Sequence, residues 1–193
     1  GVSSSKPAPG GGSVSALGGA FATALGSMVA NLSIGKDKYQ DVEEDLKLAL
    51  DKLNSLNARL LEAVDEDTNA FNSLMKAFRI PKDDPEYRSA KIQQATEYAT
   101  KIPLLVAEDL YESLEYIKIV AEKGNKNAIT DAGVAVLFAD AAIRGALLNV
   151  KINLLSLKDQ GVKGLIQQRI SRIQSNLKKN KGEILDIVDK EIS

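Results

Sequence analysis

Residues 41–78 read DVEEDLKLALDKLNSLNARLLEAVDEDTNAFNSLMKAF, and Leu46, Leu50, Leu53, Leu56, Leu60, Val64, Phe71, Leu74 and Phe78 recur there at steps of three and four. That period lays one apolar stripe along a helix of about ten turns. A stripe this long must be covered by other helices, and the rest of the chain has the same character. Asp84-Pro85-Glu86 supplies an N-cap followed by proline, opening a helix expected to run to about Thr100. Pro103 is expected to begin or kink the next, which continues through Leu110, Leu114 and Ile117 to a C-cap at Gly124. Thr130 or Asp131 is placed to cap a segment from Ala132 to about Lys158. After Gly161 a last helix turns Leu165, Ile166, Ile170, Ile173, Leu177, Leu185 and Val188 inward. Strand-like alternation is absent, so the fold class is all-α. The expectation is an antiparallel bundle of five or six helices, two of them long, in a single domain 1–193 whose residues 1–12 form a Gly/Pro/Ser-rich opening loop. Helices as long as 41–78 and 162–191 overhang a small bundle, which points to a homodimer built through helix faces.

Composition narrows the chemistry. The 193 residues contain no Cys, no His and no Trp. That removes the usual zinc sites, a cysteine nucleophile, a Ser-His-Asp triad and a disulfide framework, so no metal is expected. Any catalysis falls to Asp, Glu, Lys, Tyr, Ser or backbone groups. A net charge of −1 offers no electrostatic case for nucleic acid or an anionic membrane. The basic residues Lys178, Lys179 and Lys181 stand beside Glu183 and Asp186 and read as a solvated helix face. Absence of thiols is compatible with a cytoplasmic location.

Pro7-Ala8-Pro9-Gly10-Gly11-Gly12-Ser13 leads into an uncharged helix, Val14 to Ile34. Three glycines leave backbone N–H groups open to a ligand or to another helix, and Ser13 is positioned to cap that uncharged helix. The run is long enough to span a bilayer. Its Ser13, Ser15, Thr23, Ser27, Asn31 and Ser33, and its Ala-rich apolar content, argue instead for a core helix, and no basic n-region marks a signal peptide. Small residues at Gly18, Ala22, Gly26 and Ala30 allow close helix contact, so this helix is expected to be buried on nearly all sides.

On the long helix, steps from Leu60 and Val64 arrive at Asp67 before resuming at Phe71 and Leu74. A carboxylate thus occupies a position that packing assigns to a hydrophobe. Asp65 and Glu66, turned roughly 200° and 100° from it, fall off the stripe and are expected in solvent. An unpartnered buried carboxylate tends toward a raised pKa, which suits general acid/base work. A purely structural bond to a neighbouring helix is the other open reading. Asn57 also interrupts the stripe. Asn149 and Asn153, one turn apart on a small-residue helix, either recognise a heterocycle or lock helix register.

Four blocks, Pro9-Gly10-Gly11-Gly12-Ser13, Gly26-Ser27-Met28-Val29, Asp65-Glu66-Asp67-Thr68-Asn69-Ala70-Phe71 and Asn149-Val150-Lys151-Ile152-Asn153-Leu154, resemble the cyclodeaminase domain of formiminotransferase-cyclodeaminase and its stand-alone relatives. The resemblance implies an all-helical dimer acting on one-carbon derivatives of tetrahydrofolate, with the folate as substrate and no bound cofactor. It places the family's acid/base aspartate on Asp67, and implies that Gly10, Gly11, Gly12 and Ser13 line a folate cleft while Asn149 and Asn153 hold the pterin or the reacting substituent. The leading expectation is conversion of 5-formiminotetrahydrofolate to 5,10-methenyltetrahydrofolate with release of ammonia. A methenyltetrahydrofolate cyclohydrolase using the same site is the alternative, and a non-catalytic helical dimer that binds folate or a protein partner is the rival from another class. The 193 residues include no formiminotransferase domain, so any formiminofolate is expected from a separate enzyme. Family members usually carry a short helix before the glycine loop, where this sequence has Gly1-Val2-Ser3-Ser4-Ser5.

Overall fold

The apolar stripe becomes the spine of a helical bundle in the computed structural model, which describes residues 1–193. In chain order the helices are α1 (Gly11–Asn31), α2 (Glu43–Phe78), α3 (Pro85–Lys123), α4 (Ile129–Leu154) and α5 (Gln160–Ile192), with short 3₁₀ turns at Asp37–Val42 and Lys126–Ala128. Leu46, Leu53, Leu56 and Leu60 of α2 are shielded almost completely. Removing each such side chain from water contributes about 1.5–3 kcal/mol.

Helices that follow one another in sequence run antiparallel, and α5 lies parallel to α3. Asp67 and Asn57 of α2 reach Ser13 and Ala20 of α1, Arg59 and Glu66 of α2 meet Asp109 and Tyr98 of α3, and Asn153 of α4 meets Ala99 of α3. Gly11 lies against Asn149, Gly18 against Ala142, and the rings of Phe21 and Phe138 meet edge to face with centroids 6.2 Å apart, so α4 runs antiparallel to α1. The order around the square is therefore α1, α2, α3, α4, with α5 packed outside α3 and α4. The small residues make this closeness possible. A Cβ on Gly19 would lie 2.7 Å from Leu110, and one on Gly145 would lie 2.5 Å from Ser15 Oγ.

Several expectations are corrected. Helix α1 begins at Gly11, with Gly10 at the N-cap and no side-chain cap, so Ser13 is inside the first turn rather than capping it. Helix α3 runs unbroken through Pro103, so the proline does not begin a separate helix; the Ala99 carbonyl it leaves without a helical donor is met by Asn153 of α4. Helix α4 begins at Ile129 after a 3₁₀ turn, which places Thr130 and Asp131 within its first turn; the side-chain cap there belongs to Asn125, ahead of the 3₁₀ turn. Leu165 is 63% exposed, since it lies about 100° around α5 from the buried row of Ile166, Ile170, Ile173 and Leu177. Finally, α1 is not covered all round. Val14, Phe21 and Met28, with Leu17 and Ala24 between them, keep a seven-residue repeat on an open face, and α4 adds Val134, Leu137, Phe138, Leu148 and Ile152 beside it. By length and composition Gly11–Asn31 and Lys126–Leu154 are apolar enough to cross a membrane; within the bundle both contribute one face to the core shared with the other helices.

Candidate functional site

The first turn of any α-helix carries N–H groups without intrahelical acceptors. In α1 those donors come from Gly11, Gly12 and Ser13, and the acceptor comes from another helix. Asp67 of α2 places Oδ2 2.8 Å from the Ser13 N–H and 2.9 Å from its hydroxyl, and both donate to it. The carboxylate also sits at the positive end of the helix dipole. Asp67 thus faces inward, half-buried, as the helical phase requires. No protein donor reaches its other oxygen, Oδ1. Thr68 lies beside the pair, its Oγ1 3.4 Å from Ser13 Oγ.

Gly12 is what lets this corner close. A Cβ built there would fall 2.1 Å from Asp67 Oδ1 and 2.5 Å from Cγ, so any side chain would occupy the space of the carboxyl group. Gly11 makes the second close approach, its absent Cβ falling 3.3 Å from Asn149 Nδ2. That nitrogen donates to Gly145 one turn back, while the Asn153 nitrogen donates across to Ala99 of α3, each at 2.9 Å. The fold therefore brings Gly11, Gly12, Ser13, Asp67 and Asn149 into one corner, with Gly10 at its rim. Asn153 lies one turn further along α4 and is tied to α3. The amides of Gly11 and Gly12 keep the free first-turn donors expected of the glycine loop; that of Ser13 is taken by Asp67.

Past this corner α2 continues for residues 68–78 beyond the start of α1, so the stripe through Phe71, Leu74 and Phe78 has no α1 beneath it. Phe78 is 45% exposed for that reason. The corner therefore opens onto an apolar shelf. Glu66, expected in solvent, is half-buried and accepts a hydrogen bond from the Tyr98 hydroxyl. That bond, with desolvation second, pushes Tyr98 above the ordinary tyrosine range. The roles of Ser13 as donor to the aspartate and of Tyr98 as partner to Glu66 have no signal in residue spacing, because both join segments that only tertiary packing brings together. The stripe-breaking Asn57 also has its partners on α1, donating to Ala20 and Thr23. Of the basic cluster, Lys178 and Lys179 are exposed as a solvated face requires, whereas Lys181 is turned inward, partly buried, and bonds Asp140 of α4.

Comparison with known proteins bears on this geometry. The family model described as formiminotransferase-cyclodeaminase matches residues 1–172. A methenyltetrahydrofolate cyclohydrolase from Methylorubrum extorquens is 44% identical over 180 residues, which is 92% of this chain and 85% of that protein. The formimidoyltransferase-cyclodeaminases of Gallus gallus and Sus scrofa are 31% and 32% identical across 98% and 96% of this chain, which spans only 36% and 35% of their length. Among solved structures, formiminotetrahydrofolate cyclodeaminase from Thermotoga maritima superposes with a TM-score of 0.91 at 26% identity, covering all of this chain and 93% of that one. With a family model spanning residues 1–172 and relatives that align along nearly all of this chain, the chain belongs to the formiminotransferase-cyclodeaminase family.

Proposed function

We propose that this chain is a folate one-carbon enzyme and that Asp67 is its acid/base. The observation carrying this reading is the asymmetry of that carboxylate: Ser13 engages Oδ2 with two donors and leaves Oδ1 without a protein partner, at the edge of an apolar shelf. A carboxylate fixed through one oxygen is oriented to exchange a proton through the other.

The hydrolytic reaction is the reading we favour, since the 44%-identical relative that aligns along most of its own length is named a methenyltetrahydrofolate cyclohydrolase. In it, Asp67 takes a proton from water as the oxygen attacks the methenyl carbon. The resulting adduct collapses with cleavage of the bond to N5, Asp67 returns its proton to N5, and the hydroxyl proton leaves to solvent. One water is consumed, and 10-formyltetrahydrofolate and one proton are released. The second reading is the cyclodeaminase reaction, favoured by the likeness to the Thermotoga cyclodeaminase. There N10 attacks the carbon of the formimino group, which enters protonated as N5–CH=NH2+, Asp67 moves the N10 proton to the departing nitrogen, and ammonia leaves as the methenyl cation forms. Both use one carboxyl and no nucleophilic side chain. In either, the Gly11 and Gly12 amides and the Asn149 and Asn153 side chains line the folate site, and the Phe71–Phe78 shelf receives the apolar part of the ligand.

The open face of α1 and α4 supports a homodimer. A two-fold axis places the same apolar repeat on both partners, which is the self-complementary arrangement such interfaces need. Sedimentation of wild type against Phe21→Glu tests it: a shift from dimer to monomer is expected, and a wild-type monomer refutes it. The function itself is tested by following the methenyl absorbance with each folate supplied separately. Faster loss of the band marks the cyclohydrolase; its appearance from 5-formiminotetrahydrofolate marks the cyclodeaminase. Asp67→Asn should remove either activity by a factor of about 10²–10⁴. Full turnover by that variant would refute the assignment, and a wild type inert toward both folates would favour a binding role.

A further inference from the structure

Pro103 lies deep inside α3 and has no N–H, so the carbonyl of Ala99, four residues earlier, is deprived of its helical donor. Ala99 is buried, where an unmet carbonyl is costly. The missing donor is supplied from α4, by Asn153 Nδ2 at 2.9 Å. A carbonyl oxygen only accepts, so this contact admits one of the two orientations of the Asn153 amide and excludes its flip. Asn149, one turn away, has its own nitrogen committed to the Gly145 carbonyl. Each nitrogen spends one of its two N–H donors on helix backbone while neither carbonyl oxygen has a protein partner, so the wholly unpartnered end of each amide is its acceptor, and Asp67 Oδ1 is a third acceptor on a facing helix.

We propose that Pro103 is a positioning residue for ligand recognition. By vacating the Ala99 carbonyl it fixes the Asn153 amide, so that Asn153 presents its acceptor end, matched to an N–H-bearing edge of the substrate heterocycle. This rests on the folate reading above. It goes further in naming the polarity of the recognition and the residue on α3 that sets it.

The test is a double-mutant cycle on the full chain with Pro103→Ala, Asn153→Ala and both together. Alanine at this position returns an N–H to the helix ladder, so Pro103→Ala should fold with an unchanged or raised Tm. Asn153→Ala alone leaves the carbonyl unmet and should lower Tm by roughly 3–8 °C. In the Pro103→Ala background the same change should cost less than half as much. If Asn153→Ala folds only together with Pro103→Ala, that is the same coupling in stronger form. Equal Tm losses in the two backgrounds would overturn the proposal. Its functional half is read from KM: Pro103→Ala, free of any stability loss, should raise KM for methenyltetrahydrofolate by about 3–10-fold with kcat nearly unchanged, as a released amide loses its preorganisation. An unchanged KM would also overturn it. The Tm cycle uses substrate-free protein, so failure of the folate reading, seen as turnover by Asp67→Asn, is distinguishable from failure of the coupling.

Discussion

Gly12→Ala is a substitution that should ordinarily help. Replacing glycine by alanine inside a helix gains about 1 kcal/mol in propensity. Here the new Cβ would fall 2.1 Å from Asp67 Oδ1 and 2.7 Å from Oδ2, well inside contact distance for both. The carboxyl group must rotate away, which breaks the bonds from the Ser13 amide and hydroxyl. Loss of an N-terminal acceptor of this kind costs about 0.5–2 kcal/mol, softened because Asp67 is only half-buried and meets water when displaced. Gain and loss nearly cancel, so Tm should change by no more than about 4 °C in either direction. Catalysis has no such compensation. An acid/base group moved off its proton path should lower kcat by about 10²–10⁴. Thermal unfolding followed by circular dichroism and turnover followed by methenyl absorbance measure the two quantities on one preparation. Gly182→Ala in α5 is the control, since nothing lies within 4 Å of its added Cβ: stability should rise by up to about 1 kcal/mol with turnover intact. A Gly12→Ala protein with native kcat would refute the claim that Asp67 works from this position.

Ser13→Ala keeps the backbone donor but removes the hydroxyl, so stability should fall by about 1–2 kcal/mol in urea titrations while kcat falls less than in Gly12→Ala. Gly19→Ala forces a Cβ to within 2.7–3.0 Å of three Leu110 atoms and should cost about 1–3 kcal/mol through overpacking, read as a lower urea midpoint with unchanged slope. Tyr98→Phe bears on alkaline behaviour. Because the hydrogen bond to Glu66 and then desolvation raise the Tyr98 pKa above 10.0, the folded state holds the phenolic proton more tightly than the unfolded chain. That contribution is fully present below about pH 10 and is lost as pH rises through the folded value. Stability of the wild type should therefore decline more steeply above about pH 10 than that of Tyr98→Phe, and parallel curves would refute the coupling.

Much of the architecture is set by local pattern, and the physical reason is periodicity. The three-four spacing of leucines specifies α2 without reference to any partner, and the phase of that helix alone turns Asp67 inward. Gly10 to Gly12 likewise mark a helix start with open amides, and small residues on α1 and α4 mark a close crossing. Sequence by itself thus determines an all-helical bundle and one out-of-place carboxylate in it. Tertiary structure decides what that carboxylate touches, because Ser13 and Asp67 are joined across 54 residues and no spacing rule links them. It likewise decides that Pro103 leaves α3 continuous, since the donor that compensates for it comes from Asn153 on another helix. The apolar repeat on α1 is legible as a pattern, but only the arrangement of the other four helices decides which side of it stays uncovered. Patterns along one helix depend on neighbours three or four residues away; a site assembled from several helices depends on which faces packing turns toward one another.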